Sequence, residues 1–186
     1  DSRPGSRRNP LVVERLIGSH IGAMAYSAHD PRMAPMRWRP LTSGEREMCA
    51  DVFGDGLDVG KVRLFSLPLW PRPFVPNGRL VVWPSASAMA DFAEAPLWLR
   101  SVLVHELTHV WQAQTGVFLP LAKLKAGDGR AAYAYDLADG RNFSQLNIEQ
   151  QAMVVQHAYL AAGGGAAPYD IQAYARILEA WPGRLG

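Results

Sequence analysis

The sequence predicts an α+β domain in which a small antiparallel sheet is followed by helices. Residues 62–65 and 79–83 are rich in β-branched and aromatic side chains and are typical of strands. Three segments with helical periodicity follow them along the chain. The first of these begins near Pro96 and ends near Gly116, and nearly every face of it is apolar. A helix of that kind lies buried at the centre of a domain.

The chain divides into a predicted N-terminal extension, residues 1–40, and a folded domain, residues 41–186. Five prolines interrupt the extension, whereas the pattern becomes regular from Leu41 onward. The sequence TSGE at residues 42–45 is a capping-box signature and predicts a helix that ends near Gly54.

Composition excludes several classes of protein. With 48% hydrophobic and 19% charged residues, the chain has the composition of a folded globular protein. A net charge of +2 and scattered arginines predict no nucleic-acid partner. Apolar runs stay shorter than the roughly 18 residues of a membrane span, which predicts no membrane partner. Cys49 is the single cysteine, so no intrachain disulfide forms.

The central predicted helix carries the sequence HELTH at residues 105–109. His105 and His109 lie one turn apart on the same face, so both imidazoles can reach one metal ion. Glu106 lies about 100° further round the helix, where a general base for a metal-activated water is needed. Ionisable groups on a buried helix are costly to desolvate without a partner. The pattern therefore predicts one Zn²⁺ ion with Glu106 as the catalytic carboxylate.

A catalytic zinc ion needs a third protein ligand. Glu149 is favoured, because it lies in the first turns of a helix predicted over residues 145–162, capped by Ser144. His157 lies about 80° from Glu149 around that helix and suits a hydrogen-bond donor to the transition state better than a ligand. Residues 117–143 are predicted to be mostly loop. The other candidate ligands are His20, His29, Asp128, Asp136 and Asp139.

These residues resemble the gluzincin branch of the zinc metallopeptidases. The closest resemblance is to short bacterial Vgr-related proteins, which look like minimal zincins. It covers about residues 40–162 and is carried by the segments at 104–112 and 148–152, the second of which reads IEQQA. The resemblance implies a zincin-like fold, hydrolysis of peptide bonds in a peptide or protein substrate, and a link to bacterial contact-dependent secretion.

The resemblance also implies His105, His109 and Glu149 as zinc ligands and Glu106 as the catalytic carboxylate. Many gluzincins place an aspartate four residues after the ligand glutamate, where it supports the first zinc histidine. Met153 occupies that position in this sequence. Another acceptor must therefore orient His105. The candidate acceptors are Asp136, Gln150 and a loop carbonyl.

Three side chains are candidates for stabilising the oxyanion that develops during hydrolysis. Tyr135, Tyr133 and His157 each carry a group that can donate a hydrogen bond to it. Gln112, one turn after His109, is either a loop anchor or a site residue.

The strand at residues 79–83 is predicted to be the sheet edge along which an extended substrate pairs, as in zincins generally. Trp70, Phe74 and Trp83 then either line a subsite or form an aromatic core beneath the loop.

The sequence thus favours a zinc-dependent metallopeptidase with Glu106, Tyr135 and His157 as catalytic residues. One alternative is a non-catalytic zinc-binding module associated with a bacterial secretion apparatus. Another is a latent peptidase in which residues 1–40 cover the cleft or supply a histidine to the metal. A location in the bacterial cytoplasm is favoured, and contact-dependent secretion is the alternative.

Overall fold

A computed structural model describes residues 31–127 and 129–184. The remaining residues include His20, His29 and Asp128, so three of the predicted alternative ligands lie outside the described residues.

The described part of the chain is α+β, with four strands and six α-helices. The strands are β1 (Trp38–Pro40), β2 (Arg63–Leu67), β3 (Phe74–Asn77) and β4 (Leu80–Pro84). The helices are α1 (Ser43–Phe53), α2 (Leu97–Gln114), α3 (Leu119–Ala126), α4 (Arg130–Tyr133), α5 (Ile148–Ala162) and α6 (Ile171–Ile177). None of these helices is long and apolar enough to cross a membrane.

The sheet is mixed, so the prediction of an antiparallel sheet is wrong. Its strand order is β1-β2-β4-β3. The two strands expected from the sequence, β2 and β4, pair in parallel, whereas β1–β2 and β3–β4 are antiparallel. The reason is β3, which falls in a proline-rich segment predicted to be loop. It forms a hairpin with β4 and so directs β4 parallel to β2.

The same topology corrects the predicted sheet edge. β4 pairs with β2 on one side and with β3 on the other, so it is a central strand. The two edge strands are β1 and β3, and β3 packs against α2 and α3. It contains Pro76, which lacks a backbone N–H and is compatible with a strand that has a partner on one side only.

Residues 31–40 contact the domain predicted for residues 41–186. Arg39 of β1 makes two hydrogen bonds to the fully buried carboxylate of Glu45, at 2.6 and 2.7 Å. Glu45 also completes the predicted capping box, accepting from the backbone N–H of Thr42 while the Thr42 hydroxyl accepts from the Glu45 N–H. Met33 is buried as well. The division of the chain at residue 40 stays a prediction.

The central position predicted for the α2 segment is confirmed. The side chains of Leu103, Val104, Leu107 and Val110 are fully buried. The helix packs against α5 on one side and against β3 and β4 on another. This contact with two layers explains why apolar residues surround the helix on nearly every face.

Two short helices lie in the segment predicted to be mostly loop, and the prediction missed both of them. α3 begins with Pro120 in its first turn, has Lys123 and Lys125 in its last turn, and ends at Gly127, which has a φ of 78°. These are helix start and stop signals, but the segment is too short for a clear periodicity. α5 begins later than predicted, because Asn147 caps it in place of Ser144.

Candidate metal centre

Helices α2 and α5 bring His105, His109 and Glu149 together. The Nε2 atoms of His105 and His109 lie 3.4 and 3.1 Å from Oε2 of Glu149. One ligand atom from each residue lies within 4.8 Å of the other two. All three side chains are buried. The structure therefore assembles the three residues that the sequence singled out as a metal site.

The donor set fits a zinc ion. Ligand atoms around a tetrahedral Zn²⁺ with bonds of about 2.0–2.1 Å lie about 3.3 Å apart, close to the separations between Glu149 and the two histidines. Within residues 31–127 and 129–184, the cluster of ligand-type side chains consists of these three. Two imidazoles and a carboxylate leave a fourth position for a water molecule. Three buried ionisable side chains without a cation would be costly, which also favours an ion.

Gln112 supports His109 and joins the two helices. Its Oε1 lies 2.8 Å from Nδ1 of His109, and its Nε2 donates to the carbonyl of Ile148 and to Oε1 of Gln151. Because an amide oxygen can only accept, His109 carries its proton on Nδ1 and presents Nε2 to a metal. The sequence left open whether Gln112 is a loop anchor or a site residue, and its position serves both purposes.

His105 has a different environment. Its Nδ1 is buried, and no described residue is hydrogen bonded to it. The two side chains predicted as acceptors are engaged elsewhere: Asp136 accepts from the Tyr169 hydroxyl, and Gln150 donates to the Ala134 carbonyl. Tyr133 stacks on the His105 ring, with 6.5 Å between centroids. The structure thus does not bring the predicted acceptors to His105.

The pKa values of the two buried glutamates of the centre are shifted in opposite directions. Burial alone would raise the pKa of Glu149, but hydrogen bonds from His105 and His109 outweigh it and hold this pKa well below its ordinary value. Burial raises the pKa of Glu106, and the charges of His105 and Lys123 offset this only in part. Oε2 of Glu106 is buried and has no hydrogen-bond partner in the described structure.

Lys123 was not anticipated from the sequence. Its Nζ lies 3.5 Å from Oε1 of Glu149, whereas the contacts with the two histidines are made by Oε2. It escaped notice because α3 was predicted to be loop, and a lysine on a short helix carries no motif.

His157 and Tyr135 form a pair. The Tyr135 hydroxyl lies 2.6 Å from Nδ1 of His157 and 2.9 Å from the hydroxyl of Tyr174. Burial, together with the charge of His105, lowers the pKa of His157 to about 4, so this imidazole is neutral at pH 7. Tyr174 is fully buried.

The aromatic residues proposed for a subsite are separated by the fold. Trp83 is only 1% exposed and packs against Phe92 at 4.5 Å, so the alternative of an aromatic core applies to it. Trp70 is 48% exposed and contacts Phe74, the first residue of the edge strand β3. These two residues stay candidates for a substrate-contacting surface.

An α+β fold with two histidines on the buried helix α2 and a glutamate on α5 defines a candidate single-metal centre. Over 156 residues the chain is 31% identical to the type VI secretion system spike protein VgrG2b of Pseudomonas aeruginosa, a match that covers 77% of this chain and 15% of VgrG2b. A solved structure, the effector domain of Pseudomonas aeruginosa VgrG2b, superposes with a TM-score of 0.61 at 27% identity, covering 92% of this chain and 91% of that domain.

These matches show homology to the VgrG2b effector domain and confirm the Vgr-related part of the resemblance. The chain spans 15% of the length of VgrG2b itself. No family model matches the chain.

Proposed function

We propose that this chain is an effector domain associated with bacterial type VI secretion and that it is a zinc-dependent peptidase. Homology to the VgrG2b effector domain supports the first part. The convergence of His105, His109 and Glu149 beside the buried carboxylate of Glu106 is the observation that carries the second part. The partner would be a component of the secretion apparatus, and the substrate a peptide or protein.

The metal would be held by Nε2 of His105, Nε2 of His109 and Oε2 of Glu149. When bound, a zinc ion supplies a Lewis acid that polarises the scissile carbonyl and makes a water molecule acidic enough to be deprotonated at neutral pH. Gln112 keeps His109 in the tautomer that this role requires.

Glu106 would act as the proton carrier. It follows a ligand histidine directly, it is buried, and its Oε2 has no partner among the described residues, so one oxygen is available to a water molecule. The carboxylate takes a proton from the attacking water and later delivers it to the leaving amine. In a buried site these transfers face no competition from bulk water.

His157 would be the donor to the oxyanion. In this role the Tyr135 hydroxyl, 2.6 Å from Nδ1, would donate to it, and the proton of the neutral ring would stand on Nε2 as a hydrogen-bond donor. Because the Tyr135 hydroxyl is engaged with His157 and Tyr174, we assign Tyr135 a positioning role in place of direct contact with the oxyanion.

A non-catalytic zinc-binding module of the secretion apparatus is the second candidate, and homology to a spike protein's effector domain supports it better than it supports peptidase activity. The two functions differ in what the fourth coordination position holds. A structural zinc site is closed by a fourth protein ligand, whereas a catalytic one keeps a water molecule. The three-residue cluster within the described ranges favours the catalytic function.

The test is a Glu106→Gln variant compared with the parent and with Glu47→Gln, which changes an exposed carboxylate on α1. We expect all three proteins to bind one zinc ion by elemental analysis. Glu106→Gln should cleave a quenched fluorescent peptide library at least about 10²-fold more slowly than the other two. Full turnover by Glu106→Gln would refute the proton-carrier role. A zinc-loaded parent that cleaves no peptide in the library would favour the binding module.

A further inference from the structure

The two carboxylate oxygens of Glu149 have different neighbours. Oε2 lies 3.1 Å from His109 and 3.4 Å from His105. Oε1 lies 3.5 Å from Nζ of Lys123, a residue of α3. The Glu149 side chain is 5% exposed, so each of its oxygens needs a partner within the protein or a bound ion.

α3 places Lys123 beside Glu149. The helix packs against α5, which carries Glu149, and against the edge strand β3. Leu119 in its first turn is 2% exposed and fixes it to the core. The Lys123 side chain is 34% exposed, so the alkyl stem is partly covered while the ammonium remains partly hydrated.

We propose that Lys123 is a positioning residue that holds Oε1 of Glu149 and thereby makes the carboxylate present only Oε2 to the metal. The proposal rests on the zinc site of the proposed function. Carboxylates bind metal ions through one oxygen or through both. Two oxygens on the metal would occupy the position that a hydrolytic centre keeps for water. By holding Oε1 on the far side, the ammonium keeps that position open.

The effect of removing Lys123 on zinc affinity distinguishes a positioning residue from a cation that is merely nearby. A positive charge close to the site repels Zn²⁺, so removing it would then tighten zinc binding. If Lys123 holds the carboxylate in place, removing it weakens zinc binding, because partners that orient metal ligands typically contribute 10- to 100-fold in affinity. The two roles thus predict changes of opposite sign.

The experiment measures zinc affinity by competition with a chromogenic chelator for the full chain and three variants. Lys123→Met should bind zinc about 10-fold more weakly than the parent, at the lower end of that range because the contact is 3.5 Å and partly hydrated. Lys125→Met is the matched control, since it removes the same charge from an exposed position on the same helix, and it should bind as the parent does. Lys123→Arg keeps a donor and should recover most of the affinity.

A second readout is the visible spectrum of the Co²⁺-loaded proteins, which reports coordination number. Lys123→Met should show weaker absorption bands than Lys125→Met, because a second carboxylate oxygen raises the coordination number. Zinc binding by Lys123→Met that is as tight as that of Lys125→Met, or tighter, would overturn the role of Lys123 alone. A parent protein that binds no zinc would refute the metal site and the role of Lys123 together. Should Lys123→Met fail to fold by circular dichroism, Lys123→Gln replaces it.

Discussion

The Oε1 atom of Gln112 lies 2.8 Å from Nδ1 of His109 within α2, and the Nε2 atom of the same side chain reaches the first turn of α5. The amide group continues to the Ile148 carbonyl, one residue before Glu149. A single buried side chain therefore fixes the tautomer of one predicted ligand and the position of the helix that carries another.

Replacing Gln112 with Leu should weaken both zinc binding and folding. Nδ1 of His109 would be left buried without its partner, at a cost of about 1–3 kcal/mol in the free energy of unfolding. Zinc affinity should fall at least about 10-fold. Urea denaturation and chelator competition measure the two effects. Gln114→Leu, which removes hydrogen bonds on the same helix far from Glu149, should leave zinc affinity unchanged. Equal zinc affinities for the two variants would contradict the role of Gln112.

Tyr135→Phe should change catalysis without changing zinc content. The variant loses the hydrogen bond to Nδ1 of His157, so the imidazole is no longer held in one tautomer. We expect kcat to fall with little change in KM, and by less than the roughly 10²–10³-fold expected for His157→Phe, which removes the donor itself. The ¹⁵N chemical shifts of His157 report the tautomer directly. An unchanged Nε2–H tautomer in Tyr135→Phe would show that Tyr135 is not what fixes it.

Acid should destabilise the zinc-free protein partly through His157. The pKa of this residue is lowered from 6.5 to about 4 in the folded state, so between these values the unfolded chain binds more protons. The free energy of unfolding is unaffected by this difference above pH 6.5. It falls as the pH decreases toward 4, and the loss reaches about 3 kcal/mol. Urea denaturation of the parent and of His157→Gln between pH 4.5 and 7.5, with a chelator present, isolates it. Identical pH dependence for the two proteins would exclude it.

Truncation at residue 30 should be tolerated, whereas truncation at residue 40 should not. A chain that starts at Pro31 retains β1 and the pair between Arg39 and Glu45. Removal of residues 1–40 leaves the buried carboxylate of Glu45 without its cation, which costs about 3–5 kcal/mol in the free energy of unfolding. Thermal unfolding compares the two chains, and Arg39→Met in the longer one should reproduce most of the loss. Equal stability of both chains would contradict the structural role of β1.

The chain starting at Pro31 also tests latency. If the first 30 residues mask a peptidase, this chain should cleave peptides faster than the full chain while binding the same amount of zinc. Equal rates for the two chains would count against masking.

Local signals determined much of the fold and the core of the site. The i, i+4 spacing of His105 and His109, with Glu106 between them, depends only on helix geometry, and so does the capping box at Thr42 and Glu45. The apolar faces of α2 likewise specify a central helix, whatever its neighbours are. Glu149 could be predicted as a ligand for the same reason, because its place in the first turns of a second helix can be read from the sequence.

Tertiary structure alone decided how these pieces meet. The contacts of Glu149 with His109, of Gln112 with Ile148 and of Tyr135 with His157 span 40, 36 and 22 residues along the chain. Helical periodicity and capping signals do not predict contacts between residues so far apart in the sequence, because these contacts result from the packing of the helices against each other. The parallel pairing of β2 with β4 is likewise a property of strand order. The sequence by itself thus determined which residues are candidates for a metal centre, and packing decided which side chains contact His109, Glu149 and His157.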